Sequence, residues 1–135
     1  MVLNLHDVPG DHHSYVHTDS VGAGDATEDQ VIFVAPFDCV VTGVFVTPDA
    51  AVTGDATNTK NLNVDNKGSD GSGTTEIANL DLASGTNLVE ADETTISSSI
   101  TTSLTAGDVL MVEIEQVGSG VAIPRCIYHV TYRGN

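Results

Sequence analysis

Three histidines near the start of the chain, His12, His13 and His17, stand among Asp7, Asp11 and Asp19. Imidazoles mixed with carboxylates are the donor set of a transition-metal site. Spacing argues against a ready-made one. On an extended strand His13 and His17 share a face, whereas His12 points to the other. Neither His-x-His nor Glu-x-x-His occurs, so a fourth ligand would have to come from elsewhere. The favoured reading is an exposed or interface cluster of imidazoles, and no metal or other cofactor is assigned.

The remaining candidate chemistry fails on similar grounds. Asp65, Asn66 and Asp70 offer oxygens near glycines, as a calcium loop would. Lys67 interrupts the alternating oxygen series and no Glu closes the loop, so a turn is expected. A cupin-type jelly-roll enzyme would carry His-x-His, then Glu, with another His downstream. No such run follows here. There is no Gly-x-Ser-x-Gly elbow and no phosphate-binding loop. Cys126 and His129 are three residues apart, which puts them on opposite faces of a strand. His129 is expected on the solvent face opposite Tyr128. Glu113 and Glu115 share a strand face, as a solvated edge would also show. The chain therefore reads as a structural or binding module, not an enzyme.

The elements that must position these residues read as strands. Val31-Ile-Phe-Val-Ala35 is a continuous apolar run stopped by Pro36, the pattern of a strand buried on both faces. Further strands are predicted at 39–47, 60–65, 74–82, 88–90, 96–104, 109–117 and 123–133, and a short one at 14–18. Gly43 predicts a bulge or bend inside its strand. In 109–117, Leu110, Val112 and Ile114 face in while Glu113 and Glu115 face out. In 123–133, Cys126, Tyr128, Val130 and Tyr132 share one side. The run 66–73 is a turn or loop. No segment sustains a helical period. About eight strands joined by Gly, Pro, Asp and Ser turns predict an all-β fold: an antiparallel β-sandwich of jelly-roll type. Residues 1–29 hold four of the five histidines and read as an extended N-terminal arm, with the sandwich over 30–135.

Composition narrows the partners. The chain has 135 residues, the size of one domain, and a hydrophobic share of 40% with no Trp. Val, Ile, Leu and Ala must therefore build the core. Nineteen acidic residues against four basic ones give a net charge of −15, which argues against nucleic acid and against anionic membranes. No apolar run is long enough to span a membrane. Residues 1–10 lack the charged and apolar regions of a secretory signal, so production in the cytosol without export is expected. Cys39 and Cys126 fall in apolar runs and are expected to be buried free thiols. A disulfide between them is possible only if their strands are neighbours.

The body of the chain resembles the small decoration, or cement, proteins of tailed-phage and related viral capsids. The likeness runs through Ile32-Phe-Val-Ala-Pro-Phe-Asp-Cys-Val-Val-Thr-Gly43 and Thr53-Gly-Asp-Ala-Thr-Asn58. It continues in Asn66-Lys-Gly-Ser-Asp-Gly-Ser-Gly-Thr74, Ala106-Gly-Asp-Val-Leu110, Val117-Gly-Ser-Gly120 and the closing 124–133 strand. It covers residues 30–133. The resemblance implies a β-sandwich homotrimer on the outside of an icosahedral head, bound to the major capsid protein where capsomers meet. It places the protein on the virion surface, and in host cytoplasm during assembly. The arm is then the expected shell-binding element, with Leu5, His13, Tyr15 and His17 as contact residues. Loops 49–59 and 66–74 are candidates for the outer tip or subunit contacts. Deletion of 1–29 is expected to leave a folded domain. The competing reading is a head-fibre, tail or other virion module that binds a host glycan, although few aromatic residues are present to stack on sugar rings.

Overall fold

A computed structural model describes residues 8–135. Its strands are β1 (His12–Thr18), β2 (Glu28–Val34), β3 (Cys39–Pro48), β4 (Thr59–Gly68) and β5 (Thr75–Asp81). They continue with β6 (Thr94–Ser97), β7 (Thr102–Leu104), β8 (Val109–Val117) and β9 (Cys126–Gly134). The first sheet runs β1-β9-β3-β6 with β7 also on β3, and the second runs β2-β8-β4-β5. Every pairing is antiparallel. In outline the chain is one long hairpin: β4 pairs β5, β3 pairs β6 and β7, β2 pairs β8, and β1 pairs β9. Rolling that hairpin joins β9 to β3 and β8 to β4, which is the two-sheet order of a jelly roll. The described residues contain no helix long and apolar enough to cross a membrane.

The core forms where alternating side chains of the two sheets meet. Leu110, Val112 and Ile114 of β8 and Leu62 and Val64 of β4 are fully buried, facing Val41, Val44 and Val46 of β3 and Tyr128 and Val130 of β9. The alternation predicted for 109–117 and 123–133 holds. So does the bulge at Gly43: the β3–β9 register shifts between Val41 and Gly43. A Cβ there would stand 2.8 Å from the Phe45 ring and 2.9 Å from Thr131 Oγ1, so the kink needs glycine. That bulge also explains a departure from expectation. The run 96–104 divides into β6, which pairs Val44, Phe45 and Val46, and β7, which pairs Cys39, Val40 and Val41. The break falls opposite the bulge, where the Ile100 amide donates to Thr42 O.

Other boundaries move for physical reasons. The apolar run at 31–35 is not buried on both faces, since Val31 is 47% and Val34 53% exposed. β2 is an edge strand with its own bulge between Val31 and Phe33, and that bulge puts Ile32 and Phe33 both inward. The segment at 88–90 reduces to a single bridge between Leu88 and Val52. Strand β4 runs on past residue 65 to Gly68, and β9 starts only at Cys126, after Pro124.

The largest correction concerns the N-terminal region. β1 begins at His12 and pairs β9 over seven consecutive positions, from His12↔Tyr132 to Thr18↔Cys126. Val21 is core, bridged to Ile123. The sandwich therefore starts near residue 12, and a boundary at 29/30 would cut through it. Deleting 1–29 would strip a strand from the first sheet. Leu5 lies outside the described residues.

Cys39 and Cys126 are on neighbouring strands, yet register keeps them apart. Cys39 pairs Gly134 at one end of the β3–β9 ladder and Cys126 pairs Pro48 at the other. Nine positions at ~3.3 Å each put them roughly 25–30 Å apart, far beyond disulfide reach. Both thiols are free and buried.

Candidate functional site

Chemistry-bearing side chains gather on the outer face of the first sheet. Alternation along β1 turns His13, Tyr15 and His17 outward and His12 inward. Register does the rest. Tyr15 lies across from His129, and His129 lies across from Phe45. The Tyr15 ring stacks on the His129 ring at 4.3 Å and 14°, and Phe45 lies 5.1 Å away on the other side. His129 is on the outer face as expected, but it is only 7% exposed because these rings roof it over.

Hydrogen bonds join the cluster into a chain. His129 Nδ1 is 3.0 Å from Glu93 Oε2, and His129 Nε2 is 2.7 Å from His13 Nδ1. Glu93 stands just ahead of β6, at the far side of β3, so the chain bridges from the edge strand across the sheet. Tyr15 itself is 61% exposed and presents a flat ring to solvent. The geometry can bind, stack or exchange a proton.

Of the residues singled out by sequence, His13 and Tyr15 are brought together, and His17 follows on the same face. His12 turns inward between Phe37 and Tyr132, with ring centroids 5.9 and 5.3 Å away. Its Nε2 is buried with no hydrogen-bond partner among the described residues. Among the described residues no three His, Cys, Asp or Glu side chains converge to hold a metal ion. Sequence reasoning missed Glu93, His129 and Phe45. The period-2 pattern does put His129 outward, but the β1–β9 register that aligns it with Tyr15 has no local signal.

No family model matches the chain, and no curated protein matches it. A chain in a solved structure of infectious bursal disease virus, Gx strain, is similar at a TM-score of 0.38 and 10% identity, over 92% of this chain and 32% of that one. The protein thus spans about a third of the length of that neighbour.

The outer face of the second sheet differs in kind. Asp29, Glu113, Asn63 and Asn79 form a row across its four strands. Asn63 donates to Glu115 at 2.9 Å and accepts from Asn79, while Lys67 pairs Asp65 at 3.3 Å. Partial burial raises the Glu113 carboxyl above its ordinary range, helped by Asp29, Asp65 and Glu115. The segment expected to be a turn rather than a calcium loop spends its oxygens on itself. Asn66 accepts from the Gly68 amide, and Asp70 accepts from the amide and hydroxyl of Ser72. Those bonds hold the Asp70 carboxyl below its usual range.

Two buried features carry no open chemistry. Burial pushes the Cys39 thiol up to about 11 and the Cys126 thiol up to about 12, with Asp38 and Asp49 adding to the respective shifts. Lys60, fully buried, donates from Nζ to Asp25 O at 2.8 Å and ties β4 to the β1–β2 connection. At one end of the sandwich a depression of about 380 Å³ is lined by small apolar residues including Val21, Ala51, Ala122 and Pro124.

Proposed function

We propose that this chain is a virion structural protein, a decoration or cement protein that binds the major capsid protein on the outside of an icosahedral head as a homotrimer. It works through surfaces rather than catalysis, on the virion exterior, after assembly in host cytoplasm. The observation that carries this reading is β1. Sheet edges are sites of strand addition unless they are blunted. β2 has Glu28, Asp29 and a bulge, β5 has Glu76 and Asp81, and β6 and β7 are 4 and 3 residues long. β1 has seven residues, no register shift, and no Asp, Glu, Lys or Arg. On a protein of charge −15 it is the edge where another chain meets least repulsion. The collinear sequence resemblance supports the same role. Many modest contacts repeated by symmetry would then give avidity.

Electron microscopy of the particle that contains this chain tests the proposal. Density at capsomer junctions, at hundreds of copies, is the expected result. A few tens of copies confined to a tail, fibre or joining region would overturn it. A chain starting at Asp11 retains all nine strands of the described residues. If it still binds shells while Tyr15→Ala binds at least tenfold more weakly, the contact belongs to β1 and not to residues 1–10.

The exposed Tyr15 ring favours a second reading. Held flat by His129, it is a platform of the kind that stacks on a sugar, as a glycan-binding fibre or tail module would use. Saturable glycan binding lost in Tyr15→Ala, together with low copy number, would select that reading.

A further inference from the structure

Two imidazoles facing each other at 2.7 Å have a limited capacity for protons. A carboxylate can only accept, so His129 donates its Nδ1 proton to Glu93. Neutral His129 then has only a lone pair at Nε2, and His13 must donate its Nδ1 proton across the gap. One added proton fits. It goes to Nε2 of His13, whose Nδ1–H still points at the His129 lone pair. A second proton does not fit, because both facing nitrogens then carry hydrogens and the gap holds no acceptor.

What the contact adds to is the hold of the β9 ladder on an edge strand. Among the described residues β1 pairs only with β9, and of its inward residues His12, Ser14, Val16 and Thr18 only Thr18 is fully inside the sandwich. The titratable and charged groups facing the imidazole pair are few. β1 and its approach present Asp11, Tyr15 and His17; β9 presents Arg133, exposed two positions beyond Thr131; β3 presents uncharged Phe45; and the segment before β6 presents Glu93. Glu93 accepts the His129 Nδ1 proton.

We propose that His13, His129 and Glu93 form a proton-operated latch that holds β1 on the sheet and releases it when both imidazoles are charged. The sign follows from counting protons. The latched pair binds at most one, and the detached strand lets the pair bind two. Detachment therefore takes up a proton, and the detached population rises by up to tenfold per pH unit as the solution is acidified below the range where imidazoles titrate.

Hydrogen exchange of the full chain at pH 7.5 and 5.0, with rates corrected for intrinsic exchange, tests this. Protection of β1 amides is expected to fall at least tenfold while β4 and β8 amides keep theirs. In His13→Gln, the side-chain amide donates to neutral His129 through its NH2 and, turned over, accepts from charged His129 through its carbonyl. Latched and detached forms then take up the same proton, so the fall should disappear. Position 13 is solvent-exposed, so the variant is expected to fold. Equal β1 protection at both pH values would overturn the latch. So would an undiminished fall in His13→Gln, or a parallel loss in β4 and β8. Imidazole nitrogen shifts of the unsubstituted protein at pH 7.5 give an independent reading: both rings should be Nδ1–H tautomers, and an Nε2–H His129 would overturn the proposal.

Discussion

His12 and His13 are adjacent in sequence and opposite in fate. One ring closes the end of the core beside Phe37 and Tyr132, and the other joins a hydrogen-bonded chain on the outer face. The orphaned Nε2 of His12 is a buried polar atom that adds nothing to stability. His12→Phe should therefore leave the protein as stable as before or stabilise it by about 1 kcal/mol, read from denaturant midpoints at pH 7. At Cys39 and Cys126, thiols raised to about 11 and about 12 are almost wholly protonated at neutral pH. Both should react with a disulfide reagent roughly 100-fold more slowly than an unfolded cysteine, and reductant should leave the melting temperature unchanged. The sequence made the facing of these residues readable through simple alternation. It did not disclose that His129 is roofed over, because burial on an outer face depends on which strand lies alongside.

Among the elements, β3 governs its neighbours. Its kink at Gly43 shifts register with β9 and splits the strand opposite into β6 and β7. Gly43→Ala should cost about 1–3 kcal/mol by pressing on Phe45 and Thr131, measured by equilibrium unfolding. The glycine was visible in the sequence, but its effect on residues 98–101 was not, since those residues are far away in the chain. The acidic face of the second sheet makes a prediction of the opposite sign. The folded Glu113 carboxyl has a raised pKa, so its favourable contribution exists at low pH and is lost as pH rises through the folded value. Glu113→Gln should be more stable than the parent at pH 7, and the difference should vanish below about pH 4. Thermal melts across that interval would show it.

For the whole molecule, fold class was the most legible level. Period-2 alternation in residues 109–117 and 123–133, with turn residues between runs, was enough to indicate a jelly roll. The limit of the domain was less so. A histidine-rich, Val-poor segment such as His12–Thr18 looks like an arm because its inward residues are not core formers, yet main-chain pairing with β9 makes it a strand. Net charge is a second global property. With −15 spread over a small sandwich, self-repulsion should weaken as salt screens it. Raising sodium chloride from low to moderate concentration should raise the melting temperature by about 2–5 °C in calorimetry.

The rolled hairpin has a consequence for synthesis. Each sheet contains a late strand in an interior position: β9 lies between β1 and β3, and β8 between β2 and β4. A nascent chain that has emerged as far as β7 owns neither, so its early strands have no partners to complete a sheet. Folding must wait until β9 has left the ribosome, and such non-local pairing is intrinsically slow. A chain cut short before Cys126 would lack β9 and have no route to the native sandwich.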